Sequence, residues 1–222
     1  ERFGWTYVFR ILLSKSVLKR LKPQSVQGLE WWYGIEGAYW RKPEGSGSNI
    51  KKRMDHPAVH ISWNDAVAYC KWKGHRLPTE AEWEKAARGG LEQKLYAWGD
   101  ELTPEGKHRC NIWQGQFPNS NSAEDGYIGA APVKSFRANG FGMYNVAGNV
   151  WEWCHDWYAT ENSASRNGLD PQGPDGGDRK VMKGGSYLCH NSYCNRYRVA
   201  ARTSNTPDTS TGNMGFRTAM DA

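Results

Sequence analysis

The sequence lacks any apolar run that approaches the roughly 18 residues of a membrane-spanning helix. Its longest early apolar stretch, residues 7–13, is interrupted by Arg10. The first residues also lack the charged segment followed by an apolar segment that marks a secretory signal peptide. We therefore expect a protein with no membrane partner.

A concentrated patch of basic residues is missing as well. The net charge is +6, yet lysine and arginine are spread along the chain except at residues 51–53. Nucleic-acid binding depends on a basic face or stripe. The dispersed pattern therefore predicts no nucleic-acid partner.

Cysteine is scarce, with five residues among the 222 of the chain. An odd number leaves at least one thiol unpaired or paired outside the chain. This favours a reducing compartment, because disulfides persist mainly in oxidising ones. We predict a cytoplasmic location, with the secretory pathway or ER as the alternative.

Aliphatic side chains are few, whereas aromatic ones are abundant. The 12 tryptophans and 11 tyrosines can fill a core while their N–H and O–H groups find partners. The 25 glycines and 10 prolines favour turns and ordered loops over long helices and strands. A chain of this length fits one domain. We expect a single α+β domain over residues 1–222, irregular and rich in loops.

The clearest local pattern is a pair of consecutive capped helices. Ser62 with Asp65, and Thr79 with Glu82, have the spacing of a capping box. A glycine follows each helical stretch and is the usual stop residue. The pattern predicts helices near residues 63–73 and 80–88.

The remainder of the chain alternates short strand-like pieces with turn residues. The polar residues 156–178 have the composition of a long surface loop. We predict short strands at residues 140–145, 150–153, 181–186 (ending in a bend), 197–201 and from 215 onward.

Two cysteines, Cys189 and Cys194, stand five residues apart directly after a Gly-Gly-Ser bend. The other cysteines do not complete a four-ligand zinc set at a recognisable spacing. Two thiolates alone suit a soft ion of low coordination number, such as Cu(I). A disulfide or two unrelated loop thiols have the same spacing, so spacing leaves all three interpretations open.

Several segments of the sequence carry a family resemblance. The thiol pair lies within Gly-Gly-Ser-Tyr-Leu-Cys-His-Asn-Ser-Tyr-Cys-Asn-Arg-Tyr-Arg. That motif and others, such as Arg-Leu-Pro-Thr-Glu-Ala-Glu-Trp-Glu, resemble the formylglycine-generating enzymes, a family of sulfatase-modifying factors with a C-type-lectin-like fold. The resemblance extends from about Gly28 to the C terminus, and the first residues match poorly. The matching segments are residues 56–66, 76–84, 111–115, 148–153, 184–198, 200–208 and 215–217.

Most of these motifs are shared by a wider superfamily, so they indicate the fold more than the reaction. An inactive paralogue is expected to lack one or both thiols, which makes Cys189 and Cys194 the discriminating feature. The alternative function is a non-catalytic binding module of the same fold. A third interpretation, an iron-dependent sulfoxide synthase, is disfavoured because the six histidines show no His-x-x-x-His set.

The resemblance implies a specific oxidation chemistry. Cys189 and Cys194 are expected to bind Cu(I) together with the thiolate of a substrate cysteine, which lies in a Cys-x-Pro-x-Arg segment of an unfolded or extended sulfatase polypeptide. Molecular oxygen and a reductant complete the reaction, which yields formylglycine. Ser186, Trp151 and Asn213 match pocket positions of the family, although a turn residue and a core tryptophan are equally ordinary explanations of Ser186 and Trp151.

The resemblance also implies two structural Ca²⁺ sites, which would hold the loops in place. Such sites are built from hard oxygen ligands. Without the resemblance, Asx turns that hold loops are the simpler explanation of the same residues. The first site comprises Asn111, Ile112, Asp125 and Tyr127, and the second comprises Asn145, Gly148, Val150 and Glu152.

Two departures from the family pattern bear on location and extent. The secreted members use disulfides whose positions here include Thr218, Ala87 and Val199, so those bridges cannot form. Cys110 and Cys154 remain a possible pair that nothing in the sequence requires. The family's usual first segment, a Met-Gly strand and a turn rich in Thr and Asn, is expected to lie outside these residues.

We expect a monomer.

Overall fold

The computed structural model describes residues 3–21, 24–160 and 169–221. These ranges contain three α-helices, nine short strands and long connecting loops, in agreement with the predicted loop-rich α+β class. None of their helices has the length and apolar composition needed to cross a bilayer. The helices are α1 (Lys15–Leu21), α2 (Trp63–Lys73) and α3 (Glu80–Arg88).

The two predicted helices, α2 and α3, are confirmed together with their capping residues. The Ser62 side chain accepts a hydrogen bond from the backbone of Asp65, whose own side chain bonds back to the backbone of Ser62. Thr79 and Glu82 form the same reciprocal pair at α3. A left-handed glycine ends each helix, because glycine adopts a positive φ without steric cost.

A three-stranded antiparallel sheet near the N terminus was not predicted from the sequence. Its strands are β1 (Trp5–Phe9), β2 (Ser25–Val26) and β3 (Leu29–Glu36), in the order β1-β3-β2. β1 is joined to a C-terminal loop because Tyr7 forms an isolated parallel bridge with Thr211. This N-terminal sheet therefore packs beside the end of the chain.

The central sheet has four strands, in the order β8-β7-β6-β9, and α3 packs against β6 and β7. β6 pairs antiparallel with β7 and parallel with β9. A separate short hairpin is formed by β4 and β5. The bounds are β4 (Gly115–Gln116), β5 (Ser120–Asn121), β6 (Trp151–Trp157), β7 (Lys180–Lys183), β8 (Arg202–Asn205) and β9 (Met214–Phe216).

Three of the predicted strands are confirmed in place, with shifted ends. β6 runs on to Trp157, so the predicted surface loop begins later, and residues 161–168 of that loop lie outside the described part. β7 ends at the predicted bend, and β9 begins one residue early at Met214.

Two strand predictions are wrong. Residues 140–145 form turns because Gly142 and Asn145 have φ values of 77° and 48°, which interrupt an extended chain. Residues 197–201 also turn, since the Ala201 amide bonds back to the carbonyl of Arg198. The strand expected there is β8, which starts immediately afterwards.

The core is built from aromatic side chains, several of which have bonded polar ends. Trp83, Trp153 and Tyr187 are almost fully buried. The indole of Trp153 donates to the carbonyl of Ile61 at 2.9 Å, and that of Trp83 donates to Glu152 at 2.6 Å. Bulky rings therefore replace the missing aliphatic residues, although the buried indole N–H of Trp113 has no protein partner.

His60 is buried where the N-terminal sheet meets the C-terminal loop. Its Nδ1 lies 3.2 Å from the Thr6 hydroxyl, and its ring packs on Gly212. Burial lowers the pKa of His60 to about 4. The native state therefore holds a neutral imidazole that the unfolded chain protonates below its ordinary pKa of about 6.5.

We expect His60 to weaken the fold as the pH falls from about 6.5 to about 4. Over this window the unfolded state binds the extra proton, so the free energy of unfolding should decrease by up to about 3 kcal/mol. Urea denaturation of the wild type and of His60→Asn, which tolerates a positive φ, measures the difference. Parallel pH profiles for the two proteins would show that His60 is not the group responsible.

Candidate functional site

A cavity of about 430 Å³ opens between the N-terminal sheet and the central sheet. Its floor contains Cys189 and Cys194, so both thiols face one space. The lining has an aromatic part, which comes mostly from the N-terminal sheet, and a part rich in hydroxyl and amide groups. The aromatic part, called the aromatic wall, comprises Tyr7, Trp31, Trp32, Trp151 and Tyr193, and the polar part comprises Thr203, Ser204, Asn205, Thr209 and Thr211.

The bend before the thiol pair depends on two consecutive glycines. Gly184 and Gly185 have φ values of 90° and 76°, a conformation that costs other L-residues about 1–2 kcal/mol each. After the bend, the Tyr187 amide bonds to the carbonyl of Asn149 at 2.9 Å. The bend therefore directs Ser186 and the following residues back toward the cavity.

A Gly185→Ala substitution should disturb this bend. Its Cβ would lie 3.1 Å from the carbonyl oxygen of Arg196 and from the backbone of Tyr197, in addition to the positive φ. We expect a loss of about 1–2 kcal/mol or more in the free energy of unfolding, measured by urea denaturation. Gly176→Ala is the matched control, because its Cβ would meet no atom within 4 Å. Equal stabilities of the two variants would contradict this account of the bend.

Local hydrogen bonds bring the two thiols together. The Cys189 amide donates to the carbonyl of Ser186 at 2.9 Å, and the Cys194 amide donates to the carbonyl of His190 at 2.7 Å. The two Sγ atoms lie 2.7 Å apart, beyond the bond length of a disulfide, and both cysteines are free. Their exposed fractions are 1% and 6%. The tight turn at residues 190–194 thus folds one thiol onto the other.

The thiol pair is electrostatically asymmetric. Burial raises the pKa of the Cys189 thiol well above its ordinary value. The hydrogen bond from Cys189 lowers the pKa of Cys194 to about 7, and the Arg196 guanidinium, 3.7 Å from the Cys194 sulfur, contributes in the same direction. Cys194 is therefore the thiol of the pair that ionises first, with Cys189 as its hydrogen-bond donor. A soft thiolate beside a second sulfur suits a soft metal ion such as Cu(I).

The three further pocket residues predicted from the resemblance form one connected group. The Asn213 side-chain amide donates to the Ser186 hydroxyl at 2.9 Å, and the Trp151 backbone amide donates to the Asn213 carbonyl at 2.8 Å. All three are buried and line the cavity. This group can hold a small polar species at a fixed position beside the indole face.

The sequence reasoning missed the aromatic wall. Trp31 contacts the rings of Phe117 and Tyr193 edge-on at 5.2 and 5.3 Å, and those two rings stack at 4.4 Å. The adjacent tryptophans of β3 were the available signal, because two neighbouring indoles in a chain poor in aliphatic residues suggest an aromatic surface. Their role was hidden because the wall forms only when β3 meets the distant residues Phe117 and Tyr193.

The first predicted calcium set is held in one loop cluster. The Asp125 carboxylate accepts hydrogen bonds from the backbone amides of Ile112 and Tyr127, both at 2.9 Å. The side-chain oxygen of Asn111 is buried and has no hydrogen-bond partner. The Gln114 side-chain amide donates to the Asp125 carboxylate and to the carbonyl of Ile112, so a hard cation such as Ca²⁺ would have to displace it.

The second set fits less fully. The side-chain oxygen of Asn145 is likewise buried and unpartnered, which suits a cation. The Glu152 carboxylate, however, is occupied by Arg217 at 2.5 and 2.7 Å and by the indole of Trp83. Calcium there would have to share the carboxylate with Arg217. Gly148 and Val150 would contribute only carbonyl oxygens to such a site.

Within the described ranges, no group of three or more His, Cys, Asp or Glu side chains is placed to hold a metal ion. A metal ion in this part of the protein would therefore depend on the thiol pair, or on mixed amide, carbonyl and carboxylate oxygens. The soft sulfur donors suit copper, whereas the hard oxygen donors suit calcium.

Comparison with known proteins gives a consistent assignment. The profile of the sulfatase-modifying factor enzyme 1-like domain matches residues 7–222, and so extends closer to the N terminus than the predicted start near Gly28. The formylglycine-generating enzymes of Thermomonospora curvata and Streptomyces coelicolor are 59% and 60% identical over the whole chain, which spans 73% and 70% of those proteins. The inactive C-alpha-formylglycine-generating enzyme 2 of Bos taurus is 44% identical over the whole chain, which spans 69% of it.

A solved structure supports the fold. Treponema denticola variable protein 1 aligns with a TM-score of 0.62 at 25% identity, over 81% of this chain and 76% of that one. From the family match and the two bacterial relatives together, this chain belongs to the formylglycine-generating enzymes, the family of sulfatase-modifying factors.

Proposed function

We propose that this protein is a copper-dependent oxidase that converts a cysteine of a Cys-x-Pro-x-Arg segment in a sulfatase polypeptide to formylglycine, using O2 and a reductant. The observation that carries the proposal is the pair of free thiols, 2.7 Å apart, at the floor of a cavity with room for a guest side chain. An inactive relative at 44% identity shows that the fold alone does not guarantee this activity.

The residues of this chain would prepare the site for the metal and the guest thiol. Cys189 and Cys194 would hold Cu(I), which when bound supplies the redox chemistry for oxidation of the guest cysteine by dioxygen. Binding of Cu(I) by both sulfurs would require Cys189 to lose the proton that it shares with Cys194. Burial of the pair keeps bulk water away from both sulfurs.

The cavity walls would position an extended polypeptide. Thr203, Ser204 and Asn205 line the cavity from β8, an edge strand of the central sheet, although the Ser204 hydroxyl accepts a hydrogen bond from Arg179. The aromatic wall offers flat apolar surface for side chains next to the reacting cysteine. We propose an unfolded or extended chain as the substrate, since the two thiols are almost fully buried, with exposed fractions of 1% and 6%.

The test of this proposal is product formation. Reduced, copper-loaded protein is incubated with O2, a thiol reductant and a Cys-x-Pro-x-Arg peptide, and the aldehyde is sought by mass spectrometry. We expect aldehyde with the wild type and none above background with Cys194→Ser. If a folded, copper-loaded wild type produces no more aldehyde than Cys194→Ser, the oxidase proposal fails and the binding-module function is favoured.

The thiols also support a cytoplasmic location. All five cysteines lie in the described part of the chain and are free. Cys110 and Cys154 belong to separate hydrophobic clusters, so the pairing considered from the sequence does not occur. A protein whose cavity needs two reduced thiols is suited to a reducing compartment.

Calcium at the Asn111 and Asp125 site should stabilise the fold. A ligand that binds only the native state adds about 2.7 kcal/mol at a concentration 100-fold above its Kd. We expect the melting temperature to rise with added calcium in the wild type and much less in Asp125→Asn. Glu124→Gln is the control, because this neighbouring carboxylate is exposed. Equal calcium shifts in all three proteins would count against the site.

A further inference from the structure

A row of three stacked aromatic rings runs from the thiol pair toward the protein surface. The rings of Tyr197 and Tyr96 are 6.0 Å apart with an interplanar angle of 14°, and those of Tyr96 and Trp98 are 5.3 Å apart at 12°. We call Tyr197, Tyr96 and Trp98 the aromatic column. Nearly parallel rings at these spacings make a continuous π-contact path.

The inner end of the column adjoins the thiol pair. Tyr197 shares one hydrophobic cluster with Cys189 and Cys194, and its backbone packs against Gly185 of the bend. Burial and the nearby cysteines raise the pKa of Tyr197 to about 12, so the phenol stays protonated. Neither tyrosine of the column lines the cavity, so a guest peptide leaves both in place.

The outer end of the column is accessible. Trp98 is half-buried, and its indole N–H donates to the carbonyl of Glu101 at 2.8 Å near the surface. Tyr96 and Tyr197 are buried between the indole and the thiols. All three side chains are of the types most readily oxidised by one electron among the common residues, tyrosine and tryptophan.

We infer that the aromatic column is an electron relay that reduces the metal-thiolate centre when it is oxidised in the absence of a peptide. This inference rests on the proposed function. One electron passes from Trp98 through Tyr96 and Tyr197 to the oxidised centre, and Trp98 also loses its indole proton to solvent. A thiol reductant then restores Trp98 by giving up a hydrogen atom. The relay protects Cys189 and Cys194 from oxidation to sulfinic and sulfonic acids, which is irreversible here.

The first test maps oxidation products by peptide mass spectrometry after copper-loaded protein is incubated with O2 without peptide and without the thiol reductant that would restore Trp98. Trp72 is the internal control, because it is 78% exposed but, among the described residues, has no path of oxidisable rings to the thiol pair. It contacts Tyr69, and the next ring inward is that of Phe216, which is not readily oxidised. We expect severalfold more oxidation at Trp98 than at Trp72. Tyr96→Phe and Tyr197→Phe, which keep the packing, should remove that excess and raise sulfinic acid at the thiol pair severalfold.

Oxidation at Trp98 that equals that at Trp72, or that persists unchanged in Tyr197→Phe, would overturn the relay. Aldehyde formation is measured on the same preparations with peptide and should be unchanged in the tyrosine variants. Absence of aldehyde in the wild type would instead contradict the proposed function.

A metal-free measurement decides on the relay alone. Azide radicals generated by pulse radiolysis oxidise tryptophan in the apo protein, and phenoxyl absorbance should then grow as indolyl absorbance decays, at a rate independent of protein concentration. The amplitude of this concentration-independent growth of phenoxyl absorbance should be smaller in Tyr96→Phe and in Trp98→Phe than in the wild type. A phase of equal size in wild type and both variants would show that the column does not carry charge.

Discussion

Replacing Cys194 by alanine is expected to abolish stoichiometric Cu(I) binding and to lower aldehyde formation about a thousandfold or more. The reason is that Cys194 carries the thiolate of the pair, while Cys189 is a buried thiol whose pKa is raised. A single buried thiol without its partner offers neither the charge nor the second sulfur that a low-coordinate soft ion requires. Titration of the reduced protein with Cu(I) in the presence of a competing chelator measures the affinity.

Cys110→Ala is the matched control for this experiment. Cys110 is as deeply buried as the thiol pair and belongs to the same hydrophobic cluster, but it does not line the cavity. The Cys110→Ala variant should retain one tightly bound copper ion and its aldehyde-forming activity. Retention of tight copper in Cys194→Ala, or its loss in Cys110→Ala with the fold intact, would mean that the metal is held elsewhere.

Replacing Lys183 by methionine should destabilise the protein by about 3–5 kcal/mol. Lys183 has an exposed side-chain fraction of 0%, and its Nζ lies 2.9 Å from a Glu84 oxygen and 3.6 Å from a Glu80 oxygen. Both glutamates are partly buried, so the loss of the lysine leaves negative charge in a poorly solvated place. Chemical denaturation of the variant and the wild type measures the effect.

Two further variants separate the buried charge from the loss of side-chain packing. Lys183→Met combined with Glu84→Gln should recover part of the lost stability, because it neutralises a carboxylate that has lost its buried partner and keeps only Arg88. Lys107→Met breaks a highly exposed pair with Glu105 and should have little effect. A Lys183→Met variant as stable as Lys107→Met would show that the buried network contributes no net stability.

The helices and the thiol pair could be predicted because their signals are local. The capping boxes of α2 and α3 lie within four residues, and the left-handed glycines that end them follow directly. Cys189 and Cys194 are likewise set by one bend and one turn. The spacing alone left disulfide, free thiols and metal open, and the choice among them came from the surrounding motif.

The strands and the cavity walls could not be predicted to the same extent because they depend on distant contacts. β1 is held by β3 and by the loop at Thr211, about two hundred positions away, and no local pattern encodes that bridge. Residues 197–201 look extended in sequence, yet Val199 is fixed by a hydrogen bond to the carbonyl of Leu95. The aromatic wall was therefore recognised only once the N-terminal sheet was in place.

The buried unpartnered oxygens of Asn111 and Asn145 illustrate a further limit. In sequence, both asparagines look like ordinary turn residues. Their unsatisfied oxygens become visible only when every neighbouring protein donor is accounted for. The partnership of Glu152 with Arg217 was equally hidden, because the two residues are far apart in the chain.

The coordination of copper in the reduced protein tests the central claim most directly. X-ray absorption at the copper edge should show Cu(I) with two sulfur ligands in the protein alone and three after a Cys-x-Pro-x-Arg peptide is added. A spectrum dominated by nitrogen or oxygen ligands, or one that is the same in Cys189→Ala, would contradict the account.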